Sequence, residues 1–390
     1  MNLEQLVRDT FHDLTEDAPR PAPDFADRVL RVRRRRRIRT LAAVAAATAA
    51  VIVTAVAVPA LDRHHGPQSL PASTSDTADV VGHPDQSPPR DLIAAGRTAV
   101  SAYYTTKWTV VSGSGSKATR TLQYAWHLYN TTTGRYESVP WAYLDVAPGM
   151  RTAAVLEGPL PSKRVGLLDM TTGKITRWIA LDHPAGGVTW SPQGDKLAVT
   201  TYSGVPETIV GTEDTHRQVM NRTGYYVVDT ASGSKTYQAL PQGRDGNMRE
   251  DIRWSQDGSL VTVSNAVEDT TTYYDLQGRQ QPAPQGEKGG GGFWAGMSPD
   301  GRLYAGIDGV TDMATGAVVG KPPVQDLKAW ADNDRLIAWG CDPDNCSGKG
   351  EFANHLVLVD IGGKQVSVLS GFRKASATYG GRWTPLFTKR

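Results

Sequence analysis

Beyond residue 91 the chain alternates apolar and polar residues in short segments separated by turn residues, which predicts β-strands. Two turns recur in these segments. In the first turn, for example SPQGDKLAV and SPDGRLYAG, a short strand that often holds Trp precedes the turn, and a strand of alternating apolar and polar residues follows it. Copies of this turn lie at 146–150, 191–199, 255–263, 298–306 and 331–339. In the second, Asp or Asn ends an apolar strand and caps the turn, and Gly supplies a positive φ. Its copies lie at 129–136, 168–175, 228–235, 274–280, 311–318 and 360–366.

The two turns alternate in a fixed order, which predicts a repeated unit of four antiparallel strands. About fifty residues per unit over residues 92–390 is typical of propeller blades. We therefore predict an all-β fold, a six-bladed β-propeller, with seven blades as the alternative. The first unit lacks a Trp-bearing strand, and Trp383-Thr384-Pro385 near the chain end mirrors Trp190-Ser191-Pro192. We expect the C-terminal strand to complete the first blade and remove two open sheet edges.

Residues 40–61 contain no charged side chain and consist mostly of Ala, Val, Ile and Leu. As a helix this segment would be roughly 33 Å long, enough to cross the hydrocarbon core of a bilayer. A run of arginines that we interpret as topogenic precedes it: Arg33, Arg34, Arg35, Arg36, Arg37 and Arg39. The positive-inside rule then puts residues 1–39 in the cytoplasm and the remainder outside, so we predict a single-pass protein of the cell membrane.

Alternative roles for the basic and apolar stretch agree less well with its sequence. A cleaved signal peptide has a shorter basic region and an apolar core of about 7–15 residues, although cleavage near Ala57 or Ala60 stays an alternative. The sequence after Arg36-Arg37 matches a twin-arginine export signal poorly. A solvated nucleic-acid-binding arm would not continue directly into an apolar span.

The segments on either side of the predicted span differ in pattern. Residues 3–14 place apolar side chains at helical spacing, which predicts a short amphipathic helix. So short a helix cannot bury its apolar face alone, so it is a docking peptide for a cytoplasmic protein, lies on the membrane surface or is part of a loosely ordered extension. Residues 62–91 are rich in Pro, Ser, Asp and Thr and predict a disordered linker that ends where the propeller begins at 92.

Charge narrows the possible partners. Residues 1–39 contain ten arginines and seven acidic residues, whereas residues 62–390 contain 32 basic and 33 acidic ones. A nucleic-acid-binding domain would show a basic face or stripe, so we expect no nucleic-acid partner. The two cysteines, Cys341 and Cys346, have no further ligands nearby for zinc, and we predict a small local disulfide.

The sequence holds no recognisable catalytic or cofactor motif. It lacks a Gly-x-Ser-x-Gly elbow and a phosphate-binding loop, and its eight histidines are scattered. The glycine-rich segment 286–294 lies between predicted blades, where we expect a flexible connection. We therefore expect no bound cofactor, no metal and no enzymatic activity.

Three connections between the second and third strands of a blade are long: residues 105–121, 203–223 and 340–354. Alternate connections of an antiparallel blade emerge at opposite ends, so these three are expected on one face, where we predict a partner surface. Its candidate residues are Trp108, Glu213, Asp214, His216, Arg217, Asp342, Asp344, Lys349 and Glu351.

The WSPDG-Lys/Arg-Leu pattern resembles the repeats of TolB and related WD-repeat-like propellers. The layout as a whole is similar to an actinobacterial family of single-span membrane proteins with an extracytoplasmic propeller. The resemblance implies this architecture rather than an activity. Because the sequence holds no catalytic motif, we predict a non-enzymatic module that binds or senses an extracytoplasmic protein or envelope ligand. The topology predicts a transmembrane regulator that couples this binding to the helix at 3–14. The short head before one span also resembles membrane-bound anti-sigma factors, although their His-x-x-x-Cys-x-x-Cys motif is absent. The alternatives are a TolB-like envelope scaffold and a propeller hydrolase or lyase.

Overall fold

The computed structural model describes residues 79–212, 216–241, 249, 251–265, 270–284, 295–341, 354–373 and 382–390. These residues form β-strands and a short 3-10 turn (Gly115–Lys117), with no α-helix among them. Within this part of the chain no helix is long and apolar enough to span a membrane. The predicted head (1–39), the predicted span (40–61) and the topogenic arginines lie outside the described residues.

The N-terminal strands belong to the first unit, and after them the strands follow one another in groups of four, each of which is one unit. The N-terminal strands are β1 (Val80–Val81), β2 (Ala94–Ala95), β3 (Thr98–Ser112), β4 (Thr119–Asn130) and β5 (Arg135–Val139). The second group is β6 (Tyr143–Val146), β7 (Thr152–Leu156), β8 (Ser162–Asp169) and the first part of β9 (Lys174–Trp190). The third is the rest of β9 with β10 (Lys196–Tyr202), β13 (Arg222–Asp229) and β14 (Lys235–Ala239), and it carries an inserted hairpin, β11 (Thr208–Gly211) and β12 (His216–Val219).

The remaining groups are regular four-stranded antiparallel sheets. The fourth is β15 (Arg253–Trp254), β16 (Val261–Asn265), β17 (Thr270–Tyr274) and β18 (Gln280–Gln281). The fifth is β19 (Gly296–Met297), β20 (Leu303–Gly306), β21 (Gly309–Asp312) and β22 (Val318–Gly320). The sixth is β23 (Asp326–Trp330), β24 (Arg335–Cys341), β25 (Asn354–Asp360) and β26 (Gln365–Val368), after which the chain ends in β27 (Thr384–Lys389).

The turn after the first strand of a unit is held by a buried serine. The Ser191 hydroxyl oxygen accepts a hydrogen bond from the Lys196 backbone N–H at 3.1 Å, and Ser298 accepts from Leu303 at 3.0 Å. Both serines are at most 1% exposed. The glycine three residues after the serine has a positive φ, 76° at Gly194, where a side chain would be strained. The predicted turn is thus present, and the serine is the residue that fixes it.

The turn after the third strand has the predicted aspartate cap. The Asp169 Oδ1 atom accepts hydrogen bonds from the backbone N–H groups of Thr171 and Thr172, both at 2.8 Å. Gly173 completes the turn at a φ of 66°. These bonds stabilise the ionised carboxylate, so they lower the pKa of Asp169 below its usual value.

Tryptophans join the third, fourth and sixth units to the unit before each of them. The Trp190 indole N–H donates to the Asp145 carbonyl oxygen at 3.2 Å, and Trp330 donates to Gly296 at 2.9 Å. Trp254 makes the same bond to Thr189 at 3.0 Å. In each case a tryptophan at the end of one first strand bonds to the backbone of the preceding first strand.

The last strand belongs to the first unit. β27 pairs antiparallel with β3, from Thr384 opposite Tyr104 to Lys389 opposite Thr98. The first unit also contacts the sixth, because the Thr98 hydroxyl donates to the Trp330 carbonyl oxygen at 2.6 Å. Aliphatic and aromatic residues of both units share one core that includes Trp383. Each unit contacts the next and the sixth contacts the first, so the units form a closed cycle.

Two expectations about the ends of this domain differ from the structure. Trp383 precedes β27 rather than ending a first strand as Trp190 does, so the predicted equivalence of these two residues is wrong. Residues 79–91, predicted as linker, belong to the folded domain: β1 pairs with β2, and Arg335 binds Asp79 at 2.8 Å. These bonds hold the segment together with Val80 and Val81, which pack against two core clusters.

Candidate functional site

Two of the three long connections combine into one sheet at one end of the domain. Beyond the body of the first unit, β3 and β4 continue as a hairpin, and the Thr119–Thr121 edge of β4 pairs with β11, Thr208 to Val210. β12 pairs with the other edge of β11. We call residues 105–112 of β3, residues 119–125 of β4, β11 and β12 the loop-face sheet. The first and third units therefore meet at a common surface. Residues 342–353 of the third long connection lie outside the described residues, so its place on this face stays a prediction.

The structure describes three of the nine predicted partner-face residues. Trp108 is half-buried in β3 opposite Leu122, while His216 and Arg217 are exposed on β12. All three lie in the loop-face sheet. The other six fall outside the described residues: Glu213, Asp214, Asp342, Asp344, Lys349 and Glu351. The predicted Cys341–Cys346 disulfide also falls outside, because Cys346 is not among the described residues.

A buried ionic network lies beneath this sheet and was not predicted. The Arg249 guanidinium binds Glu207 at 3.1 Å and Asp251 at 2.9 Å, and it donates to the Gly186 carbonyl oxygen at 2.8 Å. Its side chain is 12% exposed, and those of Glu207 and Asp251 are 9% and 10% exposed. Glu207 belongs to the connection that carries the inserted hairpin, and Asp251 immediately precedes the fourth unit. The network therefore ties the loop-face sheet to the first strands.

Aromatic side chains complete the network. The Arg249 guanidinium lies 4.2 Å from the centroid of the Tyr143 ring and 5.3 Å from that of Tyr124. The Tyr124 hydroxyl donates to Glu207, and the Tyr202 hydroxyl donates to Asp251 at 2.8 Å. Burial raises the pKa of the Tyr124 phenol well above its ordinary value, so the hydroxyl stays protonated and donates.

The conformation of Glu207 depends on these contacts. Its φ is 55°, in the left-handed region that residues other than glycine seldom adopt. A backbone of this kind persists where surrounding interactions fix it. Burial opposes the charge of Arg249, but Asp251 and Glu207 outweigh it and raise the pKa of the guanidinium well above its ordinary value. The site therefore holds a permanent cation between two carboxylates.

Ionisable residues of four units interact electrostatically with one another. Arg253 of the fourth unit acts electrostatically on Tyr104, Asp145 and Lys328, which belong to the first, second and sixth units. Burial raises the pKa of Asp145 to about 6, against hydrogen bonds from the Trp190 and Val146 backbones. These units thus bring ionisable groups within electrostatic range of one another.

The sequence contains a signal for these ionisable groups. Asp251-Ile252-Arg253 precedes Trp254, and Asp326-Leu327-Lys328 lies just before Trp330. In a strand, residues two apart share a face. Ile252 and Leu327 are buried, at 0% and 4% exposure, between the charged residues that flank them in sequence. No group of three or more His, Cys, Asp or Glu side chains suited to a metal occurs among the described residues.

The strand order defines the class of protein. Successive four-stranded antiparallel sheets, with the C-terminal strand completing the first, make up a β-propeller. No family model and no curated protein sequence matches the chain.

Three of the solved structures to which the chain is similar share low sequence identity with it. TolB from Acinetobacter baumannii is 16% identical over 68% of this chain and 62% of that one, with a TM-score of 0.37. Hydrazine synthase of Kuenenia stuttgartiensis is 16% identical over 58% and 65%, with a TM-score of 0.31. The Cps50 (Swd1) β-propeller domain from Myceliophteria thermophila is 12% identical over 73% and 86%, with a TM-score of 0.35. The chain spans less than two thirds of the first two, and these scores are too low to transfer any function.

Proposed function

We propose that this chain is a membrane-anchored, extracytoplasmic, six-bladed β-propeller that binds a protein partner through the loop-face sheet and does not catalyse a reaction. In this proposal residues 40–61 hold the propeller at the cell membrane, and the helix at 3–14 contacts a cytoplasmic protein, so that the protein acts as a transmembrane regulator. The six groups of strands and their closed cycle of contacts support the blade number. The apolar run and its flanking arginines support the anchor.

The loop-face sheet is the observation that carries the proposal. Two connections from units that are not neighbours extend beyond the domain body and pair with each other, and Arg249 fixes one of them to the first strands. A folded extension of this kind presents a preorganised surface, and preorganisation lowers the conformational cost of binding. Val110 and Val111 on β3 are 52% and 55% exposed, which adds apolar area next to Trp108. Exposed apolar residues rimmed by polar ones are typical of protein-binding surfaces.

The partner surface can be tested by photocrosslinking in native membranes. A photoreactive amino acid replaces Arg217 on β12 or, as a matched control, Lys364 in the turn at the opposite end of the sixth unit. We expect a discrete crosslinked partner from position 217 and none from position 364. Equal crosslinking at both positions, or none at 217, contradicts binding through the loop-face sheet.

The topology needs a separate measurement. In intact cells a membrane-impermeant maleimide should label Gln68→Cys, beyond the predicted span, and should not label Glu16→Cys before it. Permeabilised cells, in which both positions should react, provide the control. Labelling of Glu16→Cys in intact cells contradicts the proposed orientation. A crosslinked cytoplasmic protein recovered from a photoreactive residue within 3–14 supports regulation, and its absence supports a scaffold.

A further inference from the structure

One edge of the loop-face sheet has no neighbouring strand among the described residues. The strands of this sheet follow the order β3–β4–β11–β12, so β3 and β12 form its two edges. β27 pairs with β3 only as far as Thr384 opposite Tyr104. Beyond that point residues 105–112 pair with β4 on one side, and no described strand pairs with the other side. The outer side of β3 therefore presents a row of backbone N–H and C=O groups.

This edge of β3 has little of the protection that natural proteins give to edge strands. Residues 105–110 read TTKWTV, so they are β-branched or aromatic except for one lysine, and they include no proline. Val110 is 52% exposed. The regular ladder ends at a bulge, where the register shifts between Val110 and Ser112. Residues 105–110 are thus a regular edge that can accept another β-strand.

Symmetry limits how two copies of this edge can pair. In an antiparallel pair, directly opposite residues point to the same side of the sheet, so a symmetric pair places one residue opposite its own copy. Within residues 105–110 two centres leave five residues paired on each strand: Lys107, with residues 105–109 paired, and Trp108, with residues 106–110 paired. A centre at Lys107 places two like charges opposite each other, which is destabilising. A centre at Trp108 avoids this repulsion.

A pair centred on Trp108 brings together side chains that suit each other. The two indoles lie opposite each other, and Thr106 of one copy lies opposite Val110 of the other. Lys107 lies opposite Thr109, which is uncharged. Aromatic pairs and β-branched pairs across strands stabilise a sheet. Both copies contribute the same contacts, as a two-fold interface requires, so a second copy of this chain matches the edge.

We propose that two copies of this chain associate through an antiparallel pair of β3 strands centred on Trp108, which joins their loop-face sheets into one continuous sheet. The second copy supplies the neighbouring strand for this edge and covers Val110. Five paired residues on each strand make a small interface, so the dimer is reversible and depends on protein concentration. The dimer goes beyond the proposed docking and does not depend on it, because Arg217 lies on β12, at the opposite edge of the sheet.

Analytical ultracentrifugation of the full chain in a non-ionic detergent tests the proposal. As the protein concentration increases, we expect a monomer–dimer equilibrium. Trp108→Lys and Trp108→Glu should each weaken association about tenfold or more, because each places like charges opposite one another. An equimolar mixture of the two variants should associate again, because opposite charges then face each other. This recovery distinguishes an effect on strand pairing from a failure to fold.

A neighbouring position tests the register, since Thr109 lies opposite Lys107 of the other copy in this dimer. Thr109→Glu should therefore strengthen association, whereas Thr109→Lys should weaken it. Val318→Lys is the matched control: Val318 is 54% exposed on β22, an edge strand of the fifth unit, and its substitution should leave association unchanged.

Four results overturn the dimer: a chain that stays monomeric, no recovery in the mixture of Trp108 variants, weakening by Thr109→Glu, or equal weakening by Val318→Lys. A partner crosslinked from position 217 to a monomeric chain contradicts only the dimer. A dimer without such a crosslink contradicts only the proposed docking.

Discussion

Replacing Trp383 by alanine tests how the domain is closed. Trp383 is 2% exposed and meets the Tyr103 and Trp339 rings edge-on, with centroids 5.9 Å and 5.4 Å away. Its indole N–H donates to the Ser87 hydroxyl at 3.0 Å. Removing a buried Trp side chain costs about 3–5 kcal/mol, and loss of the aromatic pairs and the hydrogen bond adds about 1 kcal/mol or more. We expect Trp383→Ala to lower the free energy of unfolding by about 4–6 kcal/mol.

Urea unfolding followed by circular dichroism and by fluorescence provides the assay. Because the indole joins the first and sixth units, both signals should shift together, with the midpoint lower by roughly 1–2 M. Trp383→Phe keeps an aromatic ring and should recover more than half of the loss. Trp178→Ala, which removes a half-buried indole from the outer part of β9, should cost about 1–2 kcal/mol. A loss below about 1 kcal/mol for Trp383→Ala would refute the assigned role of the indole.

Two further predictions concern the ionic groups. Glu207→Gln removes one carboxylate partner of Arg249, so it should lower the free energy of unfolding by about 2–4 kcal/mol and speed amide exchange in Thr208–Gly211. The control Asp182→Asn changes a 79%-exposed carboxylate and should change the free energy of unfolding by less than about 0.5 kcal/mol. Equal effects of the two substitutions contradict the network. Asp145 binds its proton more tightly in the folded chain, since its pKa rises from 3.8 to about 6, so stability should fall as the pH rises through that interval. Asp145→Asn should flatten this fall in thermal unfolding measured from about pH 3.5 to 7, and an unchanged slope would exclude Asp145 as its source.

The repeating turns were predictable because each depends on local chemistry. Asp169 bonds backbone groups two and three residues ahead, and Gly173 supplies a conformation that other residues avoid. Such signals survive in a single sequence. The predicted equivalence of Trp383 and Trp190 was wrong. A Trp followed two residues later by Pro has the same sequence pattern whether the Trp ends a strand or precedes one.

The site could be predicted only in outline. Connection lengths indicated a shared face, but pairing between Thr119–Thr121 and Thr208–Val210 is made by backbone bonds, which leave no side-chain pattern. Arg249 lies in a polar connection whose composition is that of an exposed loop. Its burial depends on Glu207, Gly186 and Tyr143, which come from distant parts of the chain. Asp79 and Ser87 lie in a predicted linker for the same reason, since long-range bonds from Arg335, Arg390 and Trp383 hold them.

Pairing between β4 and β11 also limits how this protein can change over evolutionary time. Repeat proteins commonly gain or lose whole units by duplication and deletion, because each unit depends chiefly on its neighbours. Here a strand of the first unit pairs with an insertion in the third, across the second. Adding or deleting a unit in between would separate the two hairpins and expose two strand edges. The number of repeats on this side of the domain is therefore constrained by a contact that no single repeat contains.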